Sequence, residues 1–212
     1  HPDLCEEAAN VFNSLTGSTT YPSYRNILVA PVNMRERFTE MIQREAKFAS
    51  KGKPSGIKAK MNQLQDADIV RELYKASQAG VPISLNVRGL CTLVPGVPGL
   101  SETIRVFSVI GRFLEHSRIF FFVNGGEPEY YIGSADWMKR NLNQRVETIL
   151  PVLDEQVKQQ LSGIIDVYEK DNTSVWDCQQ DGRYKQRQPA KGAASRCAQE
   201  EFIDMANRTT EK

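Results

Sequence analysis

Histidine occurs only twice among the 212 residues, at His1 and at His116. The second lies in the run Phe113-Leu114-Glu115-His116-Ser117-Arg118. An imidazole with an ordinary pKa of about 6.5 exchanges protons near neutral pH. Guanidinium groups carry permanent charge, and their planar fork of donors matches phosphate oxygens. Arg112 and Arg118 flank His116, and Arg88, Arg105, Lys139, Arg140 and Arg145 lie in neighbouring motifs. Together they suit the handling of phosphate esters or anhydrides.

A strand and a turn later comes Gly133-Ser134-Ala135-Asp136-Trp137. Here Gly133 would let a bulky phosphate approach the backbone, Ser134 would donate to it, and Asp136 would orient an imidazole nitrogen. The bland alternatives are an ordinary turn for Gly133-Ser134 and a satisfied surface or core histidine for His116. Arg88 follows a short apolar run, where an arginine is either a phosphate ligand or a sheet-edge ion pair. Lys60 and Asn62 sit at another such end, where lysine is commonly just a solvated charge.

These residues need elements to position them. Residues 27–30 form an apolar strand ended by Pro31, and Asn33 caps a helix with Met34, Phe38, Met41, Ile42 and Phe48 on one face. Residues 57–61 form a second strand. Asp66 caps a second helix carrying Ile69, Val70, Leu73 and Tyr74, and residues 83–87 form a third strand. This alternation predicts a parallel sheet with right-handed crossovers, with ligands beyond the carboxyl ends of its strands. By that rule Lys60, Asn62 and Arg88 share the functional edge. A Pro/Gly-rich loop over residues 94–99 changes the pattern. Strands are expected over 104–110, 118–123, 130–132 and 146–152, with Asn124-Gly125-Gly126 as hairpin chemistry. A helix with Val157, Leu161, Ile164, Ile165 and Tyr168 on its apolar stripe follows. Phe120-Phe121-Phe122 fits buried strand better than a base-stacking platform. After Trp176 the chain turns polar and basic, which predicts a flexible arm over residues 179–196, then a short terminal helix near 200–207.

Forty per cent apolar and 25% charged residues suit a core of real size, and a net charge of +1 recruits neither nucleic acid nor an acidic membrane. No apolar run approaches the roughly 20 residues of a membrane span. The four cysteines, Cys5, Cys91, Cys178 and Cys197, have no zinc or redox spacing and fit reduced thiols. The chain opens on His1 and runs straight into Leu4, Ala8, Val11, Phe12 and Leu15 at helical spacing, as a piece of a longer polypeptide would.

Four motifs carry a resemblance. Val87-Arg88-Gly89-Leu90-Cys91, Pro95-Gly96-Val97-Pro98-Gly99-Leu100-Ser101, Arg112-Phe113-Leu114-Glu115-His116-Ser117-Arg118 and Ser134-Ala135-Asp136-Trp137-Met138-Lys139-Arg140-Asn141 occur in unbroken order. Across about residues 26–176 the chain resembles the carboxyl-terminal catalytic domain of bacterial polyphosphate kinases. The resemblance implies an α/β, phospholipase D-like fold, a mixed sheet flanked by helices. Residues 1–20 would then be a helix ending the preceding domain, 21–176 the catalytic domain, and 177–212 a basic arm with a short helix. The resemblance also implies reversible transfer of the terminal phosphate of ATP to polyphosphate, with magnesium and through a phosphohistidine in a preceding phospholipase D-like half. It places Arg88 and His116 at ATP-contacting positions, with His116 as the second histidine of the site. Lys60, Asn62, Ser134 and Asp136 are added as phosphate-binding candidates by the edge argument and Arg118 by its place beside His116, and no residue is assigned to the metal. A cytoplasmic homo-oligomer, at most peripheral to the inner membrane, is implied, as is inactivity of this segment alone. Where the wider phospholipase D pattern has lysine and aspartate after its histidine, this chain has Arg118 and Val123, and Asp136 replaces its asparagine. These departures argue against a hydrolase, including a dimeric phosphodiesterase. The alternative from another class is a non-catalytic polyanion-binding or assembly module that uses the basic arm.

Overall fold

The computed structural model describes residues 1–17 and 23–210. The expected boundary between residues 20 and 21 lies outside the described residues. The elements run, in chain order, α1 (Pro2–Leu15), β1 (Leu28–Ala30), α2 (Met34–Ser50), β2 (Ile57–Met61), α3 (Ala67–Gln78), β3 (Ile83–Val87) and β4 (Ile104–Val109). They continue with β5 (Ile119–Phe122), β6 (Glu129–Gly133), α4 (Lys139–Asn143), β7 (Glu147–Val152), α5 (Glu155–Lys170), β8 (Val175–Cys178), β9 (Tyr184–Gln186) and α6 (Ala198–Thr210). Nine strands form one mixed sheet in the order β1-β7-β6-β5-β2-β3-β4-β8-β9.

Period-two alternation sorts the side chains to two faces. On one face Ile57, Ala59, Met61, Leu85, Val87, Phe120 and Phe122 join Met34, Phe38 and Ile42 of α2 and Ile69 and Leu73 of α3 in the main core. Phe38, Phe120 and Trp137 pack ring against ring with centroids 4.8–5.4 Å apart, so the phenylalanine run is buried strand. On the other face α5 and α6 cover two smaller clusters, one around Phe107, Val109, Tyr168 and Val175 and one around Ile119, Tyr130, Leu161 and Ile165. Asp66 caps α3 by accepting from Ile69 N, and Asp154 caps α5 by accepting from Gln156 N and Val157 N.

Two expectations are corrected. Only β2 with β3 and β3 with β4 pair in parallel; β1 is not their neighbour but pairs antiparallel with β7 at the far side of the sheet. Helix α2 therefore carries the chain from one side of the sheet to its centre, a placement that strand length and local pattern do not specify. The second correction concerns residues after Trp176. They are not a free arm: β8 pairs with β4, and β9 pairs with β8 as the edge strand. Arg187 ties this hairpin down, donating to both carboxylate oxygens of Asp177 and to the carbonyls of Glu169 and Asp171. The terminal helix is present and longer than expected. At the other end, α1 docks through Val11 on Ile27 and Val29. Its Glu7 carboxylate accepts the backbone N–H groups of Arg25, Asn26 and Ile27. Among the described residues no helix is long and apolar enough to cross a membrane.

Candidate functional site

The carboxyl ends of β2 and β3 run side by side, Arg88 N donating to Met61 O and Gly89 N to Asn62 O. The segment after β6 comes alongside them, where Trp137 O accepts from Gln65 N and Asp66 N. That path carries Asp136 to Asn62. Asp136 accepts from Asn62 N at 2.8 Å and Asn62 Nδ2 at 3.3 Å. It also takes Arg118 Nε at 3.1 Å and Nη2 at 3.4 Å, a side-on bidentate pair. Arg118 Nη1 reaches back to His116, at 2.7 Å from its carbonyl and 3.1 Å from its Nδ1. Asn62 Oδ1 accepts from Arg88 Nε at 3.2 Å. His116, Arg118, Asp136, Asn62 and Arg88 thus form one continuous hydrogen-bonded chain across segments that flank four strands, β2, β3, β5 and β6.

The two arginines are used differently. Four of the five N–H donors of Arg118 are engaged by protein atoms, and its side chain is only 12% exposed. Arg88 spends Nε on Asn62, while its two terminal amino groups make no hydrogen bond or ion pair among the described residues. His116 is exposed, and its Nε2 makes no such contact either.

The backbone around His116 is braced from beneath by a buried ionic cluster. Lys60 Nζ lies 3.1 Å from Glu115 and donates to Ser117 O at 3.3 Å, and it sits 5.1 Å from the centre of the Tyr168 ring. Glu115 also accepts from Tyr168 Oη at 2.6 Å and from Gln199 Nε2 at 2.7 Å. Gln199, on α6, grips the same loop by accepting Phe113 N and donating to Phe113 O, each at 2.9 Å. Burial pushes the Glu115 carboxyl up, but the Tyr168 and Gln199 hydrogen bonds and the Lys60 charge outweigh it, leaving the group below its ordinary value. Burial pulls Lys60 down from the usual amine range, and the nearby Arg88 and Arg118 charges add to this against the opposing pull of Glu115. Burial and the Glu115 hydrogen bond together raise the Tyr168 phenol, which stays protonated as a donor.

The edge argument brings together Lys60, Asn62, Arg88, His116, Arg118 and Asp136. It fails for Ser134, whose hydroxyl donates to Glu147 and accepts from Thr148 N at 3.3 Å on the β7 side. The adjacent Gly133 serves the sheet: a Cβ there would stand 2.8 Å from Ile149 Cα and closer still to the Thr148 carbonyl. The glycine is what admits strand β7 here. Asp136 touches no imidazole atom and reaches His116 only through Arg118. Lys60 is neither solvated nor free, being 3% exposed and fixed to Glu115. Glu115, Tyr168 and Gln199 were not foreseen as site residues. A carboxylate directly before the lone internal histidine was the available signal for the first, while Tyr168 was hidden in an apolar helical stripe.

No group of three or more His, Cys, Asp or Glu side chains that could hold a metal occurs among the described residues. The two acids of the site, Asp136 and Glu115, are saturated by Arg118, Asn62, Lys60, Tyr168 and Gln199.

What fold and site define is an α/β domain whose central sheet edge presents one open guanidinium and one uncommitted imidazole nitrogen, braced by a buried network. Family comparison makes this specific: the polyphosphate kinase C-terminal domain 2 model matches residues 27–199, and the chain belongs to that family. It is 54% identical over 205 residues to the polyphosphate kinase of Synechocystis sp., covering 97% of this chain and 28% of that protein. Against the polyphosphate kinase of Thermosynechococcus vestitus it is 53% identical over 194 residues, covering 92% of this chain and 26% of that protein. The crystal structure of polyphosphate kinase from Porphyromonas gingivalis superposes with a TM-score of 0.94 at 36% identity, covering all of this chain and 32% of that one. The chain thus spans little more than a quarter of the curated relatives named here.

Proposed function

We propose that this chain is the ATP-facing half-site of a polyphosphate kinase, which moves the terminal phosphate of ATP reversibly onto a polyphosphate chain. Phosphoryl transfer asks little covalent chemistry of a protein; it asks for positioning and for neutralisation of spread negative charge. The observation that carries the proposal is the contrast at the sheet edge. Of the hydrogen-bonded chain, both Arg88 terminal amino groups and His116 Nε2 are left wholly uncommitted, against a single N–H of the half-buried Arg118. In this reading Arg88 clamps the nucleotide phosphates as a charged fork. His116 gives a hydrogen bond to the oxygen that leaves with the nucleotide. The group that accepts the phosphoryl is supplied from outside this segment, by a preceding related half of the polypeptide. The segment alone is then a binder and not a catalyst.

The test is His116→Ala in a full-length polyphosphate kinase carrying this domain. Loss of one positioned hydrogen-bond donor to a developing oxyanion is worth about 10²–10³-fold in rate. Synthesis of polyphosphate from ATP should fall by that factor with an unchanged circular dichroism spectrum and melting temperature. Turnover within a few-fold of the parent would overturn the assignment.

A further inference from the structure

Arg118 was expected among the phosphate ligands, yet its contacts point inward. A guanidinium is a donor at every nitrogen and stays protonated at any working pH. Its Nη1 lies 3.1 Å from His116 Nδ1. For that contact to be a hydrogen bond, Nδ1 must present its lone pair, so the ring proton of the neutral imidazole sits on Nε2. The same Nη1 holds the His116 carbonyl at 2.7 Å, so ring and backbone are gripped by one group. Asp136 in turn fixes the guanidinium plane from Nε and Nη2. Asn62 fixes Asp136 through its own backbone and side-chain N–H groups.

We infer that Arg118 is a positioning residue, not a phosphate ligand, and that it locks His116 in the Nε2–H tautomer. This rests on the proposed function only for its catalytic consequence; the tautomer stands on geometry. The consequence is definite. An imidazole whose Nδ1 lone pair is engaged by Arg118 and whose Nε2 carries a proton has no free lone pair for a phosphorus atom. His116 is therefore a hydrogen-bond donor to an anionic oxygen, with its proton retained on Nε2, and not itself the site of phosphorylation. Asp136, two contacts away from the ring, supports the lock without touching it.

Nitrogen-15 NMR reads the tautomer directly, and with only two histidines in the chain the resonances are separable once His116→Gln identifies those of His1. In alkaline buffer, His116 of the parent chain should show a pyridine-type Nδ1 and a pyrrole-type Nε2. The two shifts should converge in Arg118→Lys, which keeps a cation for Asp136 but cannot span Asp136 and both His116 acceptors. A pyrrole-type Nδ1 in the parent chain overturns the inference. In a full-length polyphosphate kinase, Arg118→Lys should lower kcat about 10²-fold, the scale expected from a misplaced reacting group. The KM for ATP should stay within about threefold of the parent, since uniform binding would be untouched. A raised KM with unchanged kcat would make Arg118 a phosphate ligand and sink the proposal. Incubating a full-length polyphosphate kinase carrying this domain with terminally radiolabelled ATP should place acid-labile phosphate elsewhere and none on His116; labelled His116 would also overturn it. Near-normal turnover in His116→Ala would remove the functional reading alone, leaving the NMR result to decide the lock.

Discussion

A single buried carboxylate, Glu115, shows how much of the site is held by chemistry that contacts no ligand. It is 8% exposed and surrounded by Lys60, Tyr168 and Gln199. Its pKa lies below the ordinary carboxylate value in the folded chain, so it binds its proton more readily when unfolded. The stability it contributes is accordingly present above the unfolded value near pH 4.3 and is lost as pH falls through the lower folded value. Glu115→Gln should lower the melting temperature at pH 7 and flatten its acid limb, so that parent and variant curves converge in acid. Removing one member of a buried pair costs up to about 5 kcal/mol. Lys60 softens this, since burial already favours its neutral form. Thermal melts from pH 7 downward check the point; parallel curves for parent and variant would refute it. At this scale the sequence was informative where a residue type is rare or charged at a strand end, as with His116 and Arg88. It was silent on who pairs with whom. Asp136 and Asn62 meet across 74 positions, and nothing local distinguishes an aspartate that orients a ring from one that anchors an arginine.

Elements extend the argument to the last helix. Helix α6 packs Phe202 on the Tyr168 ring, with centroids 5.0 Å apart, and delivers Gln199 to both backbone groups of Phe113 and to Glu115. It thereby sets the loop that carries His116, although 83 residues separate the two in sequence. Gln199→Ala should leave two backbone groups of that loop and one buried carboxylate oxygen short of partners. Each such loss costs about 1–3 kcal/mol when the group stays buried. In a full-length polyphosphate kinase, kcat should drop roughly tenfold or more, with the KM for ATP little changed, because Arg88 sits on another element. Steady-state kinetics at saturating ATP checks this; unaltered kcat would show that the loop holds its shape without α6. Most elements were legible because their apolar periodicity is strong, as in α2, α3 and α5. The hairpin of β8 and β9 was not, because β9 is an exposed edge strand whose polar composition reads as loop. Its attachment is made by Arg187 to Asp177 and by main-chain pairing, neither of which leaves an apolar signature. The neighbourhood of β1 was illegible for a different reason: three apolar residues specify a buried strand but not which edge accepts it.

For the whole molecule, charge decides between a specific anion site and a general polyanion surface. The net charge of +1 means that attraction for ATP or polyphosphate has to be local. Two basic regions compete for the role: the sheet edge with Arg88, and the hairpin with exposed Lys185. In the hairpin Arg187 is already neutralised by Asp177, and Arg183 lies 3.6 Å from Asp181. At the edge, three cations, Lys60, Arg88 and Arg118, face two saturated carboxylates, and the surplus is concentrated on the open fork of Arg88. Screening shortens the reach of such a charge to about 8 Å at physiological ionic strength. Calorimetry on the chain should therefore find weak binding of ATP that declines as salt is raised from about 50 to 300 mM, a range over which the screening length drops below 10 Å. Arg88→Gln should abolish most of that binding at low salt, whereas Lys185→Gln should leave it nearly intact. The opposite ranking would shift the anion site to the hairpin and favour a polyanion-binding module over a half-site. Equal small losses from both variants would mean diffuse attraction, which the committed donors of Arg118 and Arg187 argue against. What makes the ranking a sharp test is that both variants remove or neutralise a single exposed-side charge while the fold keeps every buried pair it uses to hold His116.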